Sequence, residues 1–350
     1  MRFALSDDQA LLRSATRDFV RSAYPFEKSR RVMEDTPHGY DRDDWRRVAE
    51  MGHLGLAVPV EAGGQGLGAI ELAIALEELG HACVPGPFLD ASLAAAALVA
   101  AGGQTVLLAE LVAGRRLVVL ARADTPFAGT PGPAMRFAGG RLRGSKYFVP
   151  FAAAAAALLV TTPEGLCLAE GPFEVTPLPT LDPGQRFGVV HLDHAASLLG
   201  PPTLLDPVDR LAAVGAGATL LGLMSRALEM TVGYTQTRQA FKRPIGAFQA
   251  LQHRMADMLL RTESTRSAVY RAAWCVDTGD AEAALACASA KAYAGDAARL
   301  VCGEAIQMHG GIGFTWELDL HFFFKRAKTL EQHYGSTEEH LGRALAAAGY

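Results

Sequence analysis

The stretch RQAFKRPIGAFQALQHRMADM, residues 238–258, carries the strongest fold signal in this 350-residue chain. Arg238 stands at the predicted end of one long helix, and Pro244 prevents that helix from continuing. Gly246 is predicted to permit a tight turn, and Phe248 begins the apolar stripe of the next helix. A guanidinium beside an aromatic ring can clamp a pyrophosphate and stack on a flat group. Taken alone, the stretch favours the simpler interpretation of a surface arginine at a helix end.

A second stretch, IQMHGGIGFTWELDLHFFFKRAK at residues 306–328, follows another predicted helix. Gly310, Gly311 and Gly313 allow a backbone to approach a ligand closely, because they have no Cβ. Gln307 offers both a hydrogen-bond donor and an acceptor, and consecutive backbone N–H groups could cradle a phosphate. A flexible turn between two helices is the alternative interpretation.

The sequence around these stretches divides into three zones, which we predict to be domains: residues 1–104, 105–206 and 207–350. The first and third zones show helical spacing of apolar residues. The middle zone has short apolar runs separated by Gly, Pro and Asp, which is typical of a small β sandwich or barrel. The predicted helices of the third zone span 208–237, 247–278, 281–309 and Leu318–His333, and a last one starts at the Ser336–Glu339 capping box. Long amphipathic helices with short connections predict an antiparallel bundle.

Local signals refine the first two zones. Ser6 is predicted to precede an amphipathic helix, and a helix over about residues 69–79 is predicted to end at Gly80. The alanine run at 152–157 is predicted to be a connection into a strand at Leu158–Thr161, although alanine favours helices.

Composition excludes several classes of protein. Half the residues are hydrophobic, a fifth are charged and the net charge is −4, which argues against a nucleic-acid-binding face. The first 20 residues have no unbroken apolar core of a signal peptide, and the apolar runs are too short to cross a bilayer. We therefore predict a cytoplasmic protein with no membrane partner.

The sequence also gives no sign of a metal site. The five cysteines are widely spaced without a CxxC pair, which fits buried thiols in a reducing compartment. His191 and His194 lie in a predicted strand, whose alternation sends them to opposite faces.

The two stretches closely resemble the C-terminal signatures of the acyl-CoA dehydrogenase family, R-x-x-F-x-x-P-I-x-x-F-Q-x-x-Q and Q-x-x-G-G-x-G-[FY]. The first zone is similar to the family's W-x-x-x-x-x-x-G-x-x-G-l-x-x-P-e-x-x-G-G-x-G pattern. The matching residues are Trp45, GHLGLAVPVEAGGQGLG at 52–68, EELG at 77–80, Arg238, Phe241, Pro244, Ile245, Phe248, Gln249, Gln252, Gln307, Gly310, Gly311, Gly313 and Phe314. The resemblance covers nearly the whole chain in the right order. It implies an α+β multi-domain fold with an N-terminal helical domain, a central β domain and a C-terminal four-helix bundle.

The same resemblance implies a cofactor and its binding residues. Family members are FAD-dependent oxidoreductases that present certain residues to FAD near subunit interfaces. The residues that correspond to them here are Arg238, Phe241, Gln307, Gly310 and Gly311.

The chain departs from the family at the catalytic base. The family removes the α-proton of an acyl-CoA with a glutamate while a hydride leaves the β-carbon for the flavin. The usual glutamate of a Y-E-G-T motif aligns with Tyr334, and Glu331 lies a turn upstream. Some members place the glutamate in the first bundle helix, where this chain has Ala212 with Asp209 one turn away. The candidate catalytic residues are therefore Tyr334, Glu331 and Asp209.

The middle zone departs as well. Family members usually carry a T-E-P-x-x-G-S-D stretch that contacts the flavin ring, whereas this chain reads LARADTPFAGTPGPAMRF at 120–137. Backbone contacts could survive such divergence, because N–H groups need no particular side chain.

Three functions are compatible with this pattern. The first is a base-lacking partner subunit of a heteromeric acyl-CoA dehydrogenase that desaturates an acyl-CoA thioester, as in the paired subunits of actinobacterial steroid side-chain degradation. The expected partners are the acyl-CoA, a homologous subunit in a heterotetramer, and an electron-transferring flavoprotein if the assembly is redox-active. The second is a catalytic homo-oligomer that uses Asp209, Glu331 or Tyr334. The third is a fold recruited for a non-redox reaction, such as dehydration, or for ligand binding only.

Overall fold

The structure is a computed structural model that describes residues 4–126 and 134–350. The chain forms two compact units that alternate along the sequence. The helical unit comprises Met1–Glu27, Ala69–Val84 and Arg210–Tyr350, and the mixed unit comprises Lys28–Gly68 and Pro85–Asp209. The division of the sequence into three domains stays a prediction.

The described residues form eleven α-helices. In chain order they are α1 (Asp7–Ala23), α2 (Phe26–Asp35), α3 (Arg42–Glu50), α4 (Ala69–His81), α5 (Phe88–Ala101), α6 (Thr105–Val112), α7 (Asp206–Thr237), α8 (Gln249–Thr278), α9 (Ala283–His309), α10 (Leu320–Gln332) and α11 (Thr337–Ala347). Capping boxes open α1 at Ser6 and α11 at Ser336, as the sequence predicts.

The strands of the described residues are β1 (Val118–Ala121), β2 (Arg136–Ala138), β3 (Arg141–Pro150), β4 (Ala157–Thr162), β5 (Gly165–Glu170), β6 (Glu174–Leu178), β7 (Phe187–Ala195), β8 (Ser197–Gly200), β9 (Gln239–Ala240) and β10 (Arg243–Pro244). Strands β1 to β8 lie in the mixed unit and form two four-stranded sheets. The first has the order β1-β4-β5-β8, with β1 and β4 parallel, and the second has the order β2-β3-β7-β6.

The core of the mixed unit follows the apolar runs of the sequence. Strands β1 and β4 are buried over most of their length, and the run of alanines begins as a short 3-10 helix at Ala152–Ala154 before β4 starts. Strand β6, which the sequence analysis did not predict, carries Pro177 on the outer edge of its sheet. An edge position tolerates proline, because the missing N–H donor faces away from the ladder.

The helical unit packs α4 against α7 at two glycines. Helix α4 continues through Gly80 to His81, so the predicted helix end at Gly80 is wrong by one residue. A Cβ on Gly80 would lie 2.3 Å from the carbonyl oxygen of Thr219, and one on Gly222 would lie 2.0 Å from that of Glu77. Gly80 is therefore required for close helix packing rather than for a cap.

One segment of the described chain, Pro202–Thr237, is long and apolar enough to cross a membrane. Its most apolar window is 78% buried inside the protein, as expected for the core helix of a folded domain. All five cysteines are buried, and none of them forms a disulfide within the described residues.

Candidate functional site

The connection between α7 and α8 is a β-hairpin followed by a short 3-10 helix. Phe241 and Lys242 both have positive φ, 52° and 66°, and form the two-residue turn between β9 and β10. Gly246 lies in the 3-10 turn Ile245–Ala247, as predicted, and the hairpin at Phe241–Lys242 is a second, earlier reversal of the chain. Two non-glycine residues in the left-handed region store strain, a feature that clusters at ligand sites and interfaces.

A stacked pair of rings joins the ends of α7 and α9. The Tyr234 and His309 rings lie 4.3 Å apart at an interplanar angle of 24°, and the Tyr234 hydroxyl donates to the His309 carbonyl at 3.4 Å. His309 Nδ1 donates to the Ala305 carbonyl at 2.7 Å, which fixes the ring, and burial lowers the pKa of His309. This contact brings together two residues that are 75 positions apart in sequence.

A pocket of about 480 Å³ opens at this junction. Its volume lies within the range of roughly 300–1,000 Å³ that is usual for small-molecule sites. Its walls come from the ends of α7 and α9 and the start of α8, and the lining residues are Tyr234, Arg238, Ile245, Ala250, Leu251, Arg254, Gln307, Met308, His309, Gly310 and Gly311. The structure thus brings together Arg238, Gln307, Gly310 and Gly311 from the five residues that the sequence assigns to the cofactor.

The charges of the pocket suit an anionic ligand. Within the parts of the chain that the structure describes, the Arg238 guanidinium has no ion-pair partner. Arg254 also lines the pocket and pairs with Glu304 at 2.9 Å. Helix α8 begins here without a side-chain cap, and the positive end of its dipole favours a negative group. A Cβ on Gly310 or Gly311 would meet no atom within 4 Å, so the backbone stands open at the pocket wall.

Phe241, the fifth predicted cofactor residue, does not line this pocket. Its side chain is 90% exposed at the tip of the hairpin, where its ring meets Phe248 edge-on at 6.1 Å. A large aromatic ring held in solvent by a strained turn is a feature of surfaces that receive a partner or ligand.

The turn that carries Tyr334 connects α10 to α11 and is tied down by two buried side chains. Tyr334 has a φ of 62°, and its carbonyl accepts from His340 Nε2 at 3.0 Å. The fully buried Lys291 donates from Nζ to the carbonyls of Glu331 at 3.1 Å and Gly335 at 2.9 Å. Burial lowers the pKa of Lys291 to about 8 and that of His340 to about 4. We call residues 331–336 the base turn.

The two acidic candidates are both engaged. Glu331 is 6% exposed, and its carboxylate pairs with Lys328 at 2.5 Å and with Arg299 at 3.5 Å. Asp209, in the first turn of α7, pairs with Arg122 at 2.5 Å. A carboxylate engaged by a guanidinium or ammonium must give up that partner before it can accept a proton from a substrate. At the alternative base position, Ala212 is buried and has no ionisable group.

The middle-zone segment is described only in part. Residues 127–133 of the stretch that departs from the flavin-contact motif lie outside the described residues. Asp124, which precedes these residues, pairs with the fully buried Lys146 at 2.8 Å. Its carboxylate also accepts a hydrogen bond from the backbone N–H of Met135, which follows them, at 2.9 Å. Lys146 Nζ also donates to the Arg122 carbonyl at 2.8 Å.

Several of these residues were missed by the sequence analysis. Lys291 is flanked by alanines in α9, and an apolar setting of this kind is the sequence signal for a buried ammonium. Lys146 is buried in strand β3 between the half-buried Ser145 and Tyr147. The hydrogen-bond acceptors of Lys291 are backbone carbonyls, which no sequence pattern reveals, and Lys146 reaches the Arg122 carbonyl, the Thr161 hydroxyl and Asp124 across the fold.

Comparison with known proteins agrees with this architecture. Residues 211–348 match the acyl-CoA dehydrogenase C-terminal domain, and residues 6–107 match the acyl-CoA dehydrogenase N-terminal domain. A curated relative, acyl-CoA dehydrogenase IpdE2 from Mycolicibacterium smegmatis, is 34% identical over 98% of this chain and 99% of its own length. This chain therefore belongs to the acyl-CoA dehydrogenase family, as the sequence motifs predict.

Two solved structures extend the likeness. The Tcur3481-Tcur3483 steroid ACAD G363A variant has a TM-score of 0.90 at 28% identity and covers 98% of both chains. The ChsE4-ChsE5 complex from Mycobacterium tuberculosis has a TM-score of 0.89 at 29% identity and covers 99% of both chains. The acyl-CoA dehydrogenase fold of the chain is thus confirmed.

Proposed function

We propose that this chain is the base-lacking partner subunit of a heteromeric acyl-CoA dehydrogenase that desaturates an acyl-CoA thioester between its α- and β-carbons. The observation that carries the proposal is the state of the three candidate bases. Asp209 and Glu331 are held in ion pairs, and Tyr334 offers a phenol, which is a poor class of base at neutral pH.

The pocket at the α7–α9 junction fits one part of FAD. Arg238 provides a planar guanidinium without an ion-pair partner among the described residues, which suits a bidentate contact with a diphosphate. Gln307 adds an amide, and Gly310 and Gly311 leave open backbone on the same wall. When bound, FAD supplies the acceptor for the hydride from the β-carbon. The volume of about 480 Å³ is small for a whole dinucleotide, so this chain would hold one part of it.

The base turn supports the division of labour between subunits. Lys291 and His340 fix its backbone, and the residue presented at the usual glutamate position is a phenol. In an assembly, a homologous partner would supply the carboxylate that removes the α-proton, while this chain contributes binding residues. Two of the similar structures are named for pairs of chains, which supports a paired assembly here.

The named relatives also suggest the substrate class. One of the two structures is a steroid ACAD, so we propose a thioester of a steroid or steroid-derived acid as the acyl group. The electrons would leave through an electron-transferring flavoprotein, in keeping with family chemistry.

Two measurements test the proposal. The first is the absorption spectrum of the chain purified alone and after co-expression with a homologous dehydrogenase subunit that retains its glutamate. We expect stoichiometric flavin only in the co-purified assembly. The second is sedimentation of both samples, which should show an oligomer containing both chains. Flavin-replete homo-oligomers that oxidise acyl-CoA without a partner would favour the homo-oligomeric enzyme, and absence of flavin from every preparation would favour a non-redox role.

A further inference from the structure

A second arginine lines the same pocket as Arg238. Arg254 lies on α8, five residues after the helix begins, and its guanidinium pairs with Glu304 on α9. Glu304 stands one turn before Gln307, so the pair joins α8 to α9 beside the pocket. We propose that Arg254 is a second diphosphate-binding residue, and that Glu304 holds it in place until the ligand arrives. This inference rests on the proposed dinucleotide pocket.

The charge of a diphosphate explains why a second cation beside Arg238 would be needed. A diphosphate linkage carries two negative charges, and Arg238 alone can neutralise one of them. Arg254 is the other cationic residue among the eleven that line the pocket. Two guanidiniums from different helices can each bind one phosphate group, as planar forks do in many phosphate sites.

The Arg254–Glu304 ion pair is exposed enough for a phosphate to replace Glu304 as the partner of Arg254. The side chains are 50% and 41% exposed, and exposed ion pairs contribute little to stability. A phosphate can therefore displace Glu304 as the partner of Arg254 at small cost. Glu304 then acts as a competitor that occupies Arg254 in the free chain and lowers the affinity for the diphosphate.

The test is calorimetric titration of the full chain with ADP, which is the adenosine diphosphate half of FAD. Arg254→Ala should weaken ADP binding about five- to tenfold, the scale of a partly exposed charge-assisted hydrogen bond. Glu304→Gln should strengthen it about two- to fivefold, because the competitor is removed. In the double variant the effect of Glu304→Gln should vanish, since Arg254 is no longer there to be released.

Controls separate this inference from the proposal beneath it. Arg261→Ala removes an arginine from the same helix that does not line the pocket, and it should leave ADP binding unchanged. If Arg238→Ala weakens ADP binding but neither Arg254→Ala nor Glu304→Gln alters it, the pocket does bind the diphosphate and the proposed role of Arg254 is wrong. If the unaltered chain does not bind ADP, or Arg238→Ala has no effect, the pocket itself is wrong.

A second probe distinguishes FAD from coenzyme A, which both contain an adenosine diphosphate group. 3′-Phosphoadenosine 5′-diphosphate is the corresponding half of coenzyme A and differs from ADP by one additional phosphate on the 3′ oxygen. Tighter binding of ADP supports FAD as the ligand. Tighter binding of the 3′-phosphorylated compound would overturn that assignment. A Glu304→Gln effect that persists in the Arg254→Ala background would overturn the proposed coupling.

Discussion

The pocket at the α7–α9 junction and the base turn lie in the same helical unit but differ in whether their polar groups have partners within the chain. In the pocket, Arg238 is without an ion-pair partner among the described residues and the glycine backbone stands open. In the base turn, Glu331 is paired twice, and Lys291 and His340 hold the backbone from two sides. Groups that must meet a ligand are left available, whereas groups that only shape the protein are satisfied internally.

This difference separates dinucleotide binding from proton abstraction, two functions that a single-subunit-type enzyme of this reaction combines in one chain. Binding of a dinucleotide needs a cation and accessible backbone, and the pocket retains both. Proton abstraction needs a carboxylate that is free to accept a proton near the substrate, and neither Asp209 nor Glu331 is free. Under the proposed function, the chain contributes more to binding than to proton abstraction.

The largest effect is expected at the pocket. Arg238→Ala should lower the flavin content of the co-purified assembly at least about tenfold, because charge-assisted contacts with a diphosphate contribute about 1.5–3 kcal/mol. Arg238→Lys should rescue poorly, since an ammonium cannot offer a bidentate fork. The measurement is the ratio of flavin absorbance to protein. An Ala variant with full flavin content would remove Arg238 from the site.

A moderate effect is expected at the base turn, as a dependence of stability on pH. Burial and the nearby cations Lys291 and Arg343 lower the pKa of His340 to about 4 in the folded chain. Between pH 6.5 and about 4 the unfolded chain therefore binds a proton that the folded chain does not, so the free energy of unfolding falls as the pH falls. The contribution lost is up to about 3 kcal/mol.

His340→Gln is the matched variant for this measurement, because its amide can still donate to the Tyr334 carbonyl. Urea unfolding at pH 4 and pH 7 should show a smaller loss of stability in the variant than in the unaltered chain. Equal losses would show that His340 does not titrate as a buried group.

The smallest effects are expected from the acidic candidates. Asp209→Asn and Glu331→Gln should change the rate of flavin reduction in the co-purified assembly by less than about threefold, because neither carboxylate removes the proton. A true general base contributes about 10²–10⁴-fold, so the two cases are well separated. Rapid-reaction spectroscopy with a saturating acyl-CoA gives this rate, and thermal unfolding checks that each variant is folded.

The helices and the pocket could be largely predicted from sequence. Spacing of apolar residues places α7, α8 and α9 within a few residues of their observed ends, because long amphipathic helices repeat their signal many times. Strand β6 was missed because its five residues include Pro177, and α6 was missed because eight residues are too few for a clear period. The reversal at Phe241–Lys242 was missed because it uses residues that normally avoid positive φ, so the sequence indicated only the later turn at Gly246.

The candidate site was predicted unevenly. Motif positions located Arg238, Gln307 and the glycines, since these residues are close to helix ends whose order the sequence reveals. Sequence could not reveal that Arg122 pairs with Asp209, because the two residues are 87 positions apart and meet only in the folded mixed unit. The fixing of the base turn by Lys291 was hidden for the same reason, as its acceptors are backbone carbonyls.

Bleaching of the flavin by acyl-CoA tests the central claim most directly. The chain is purified alone and reconstituted with FAD, and in parallel it is co-purified with a homologous subunit that retains its glutamate. Both samples are mixed anaerobically with a panel of acyl-CoAs that includes steroid thioesters. We predict that the flavin band stays unchanged with the chain alone and bleaches rapidly with the assembly. Rapid bleaching by the chain alone, lost in Asp209→Ala, Glu331→Ala or Tyr334→Phe, would contradict the partner-subunit account and identify the base.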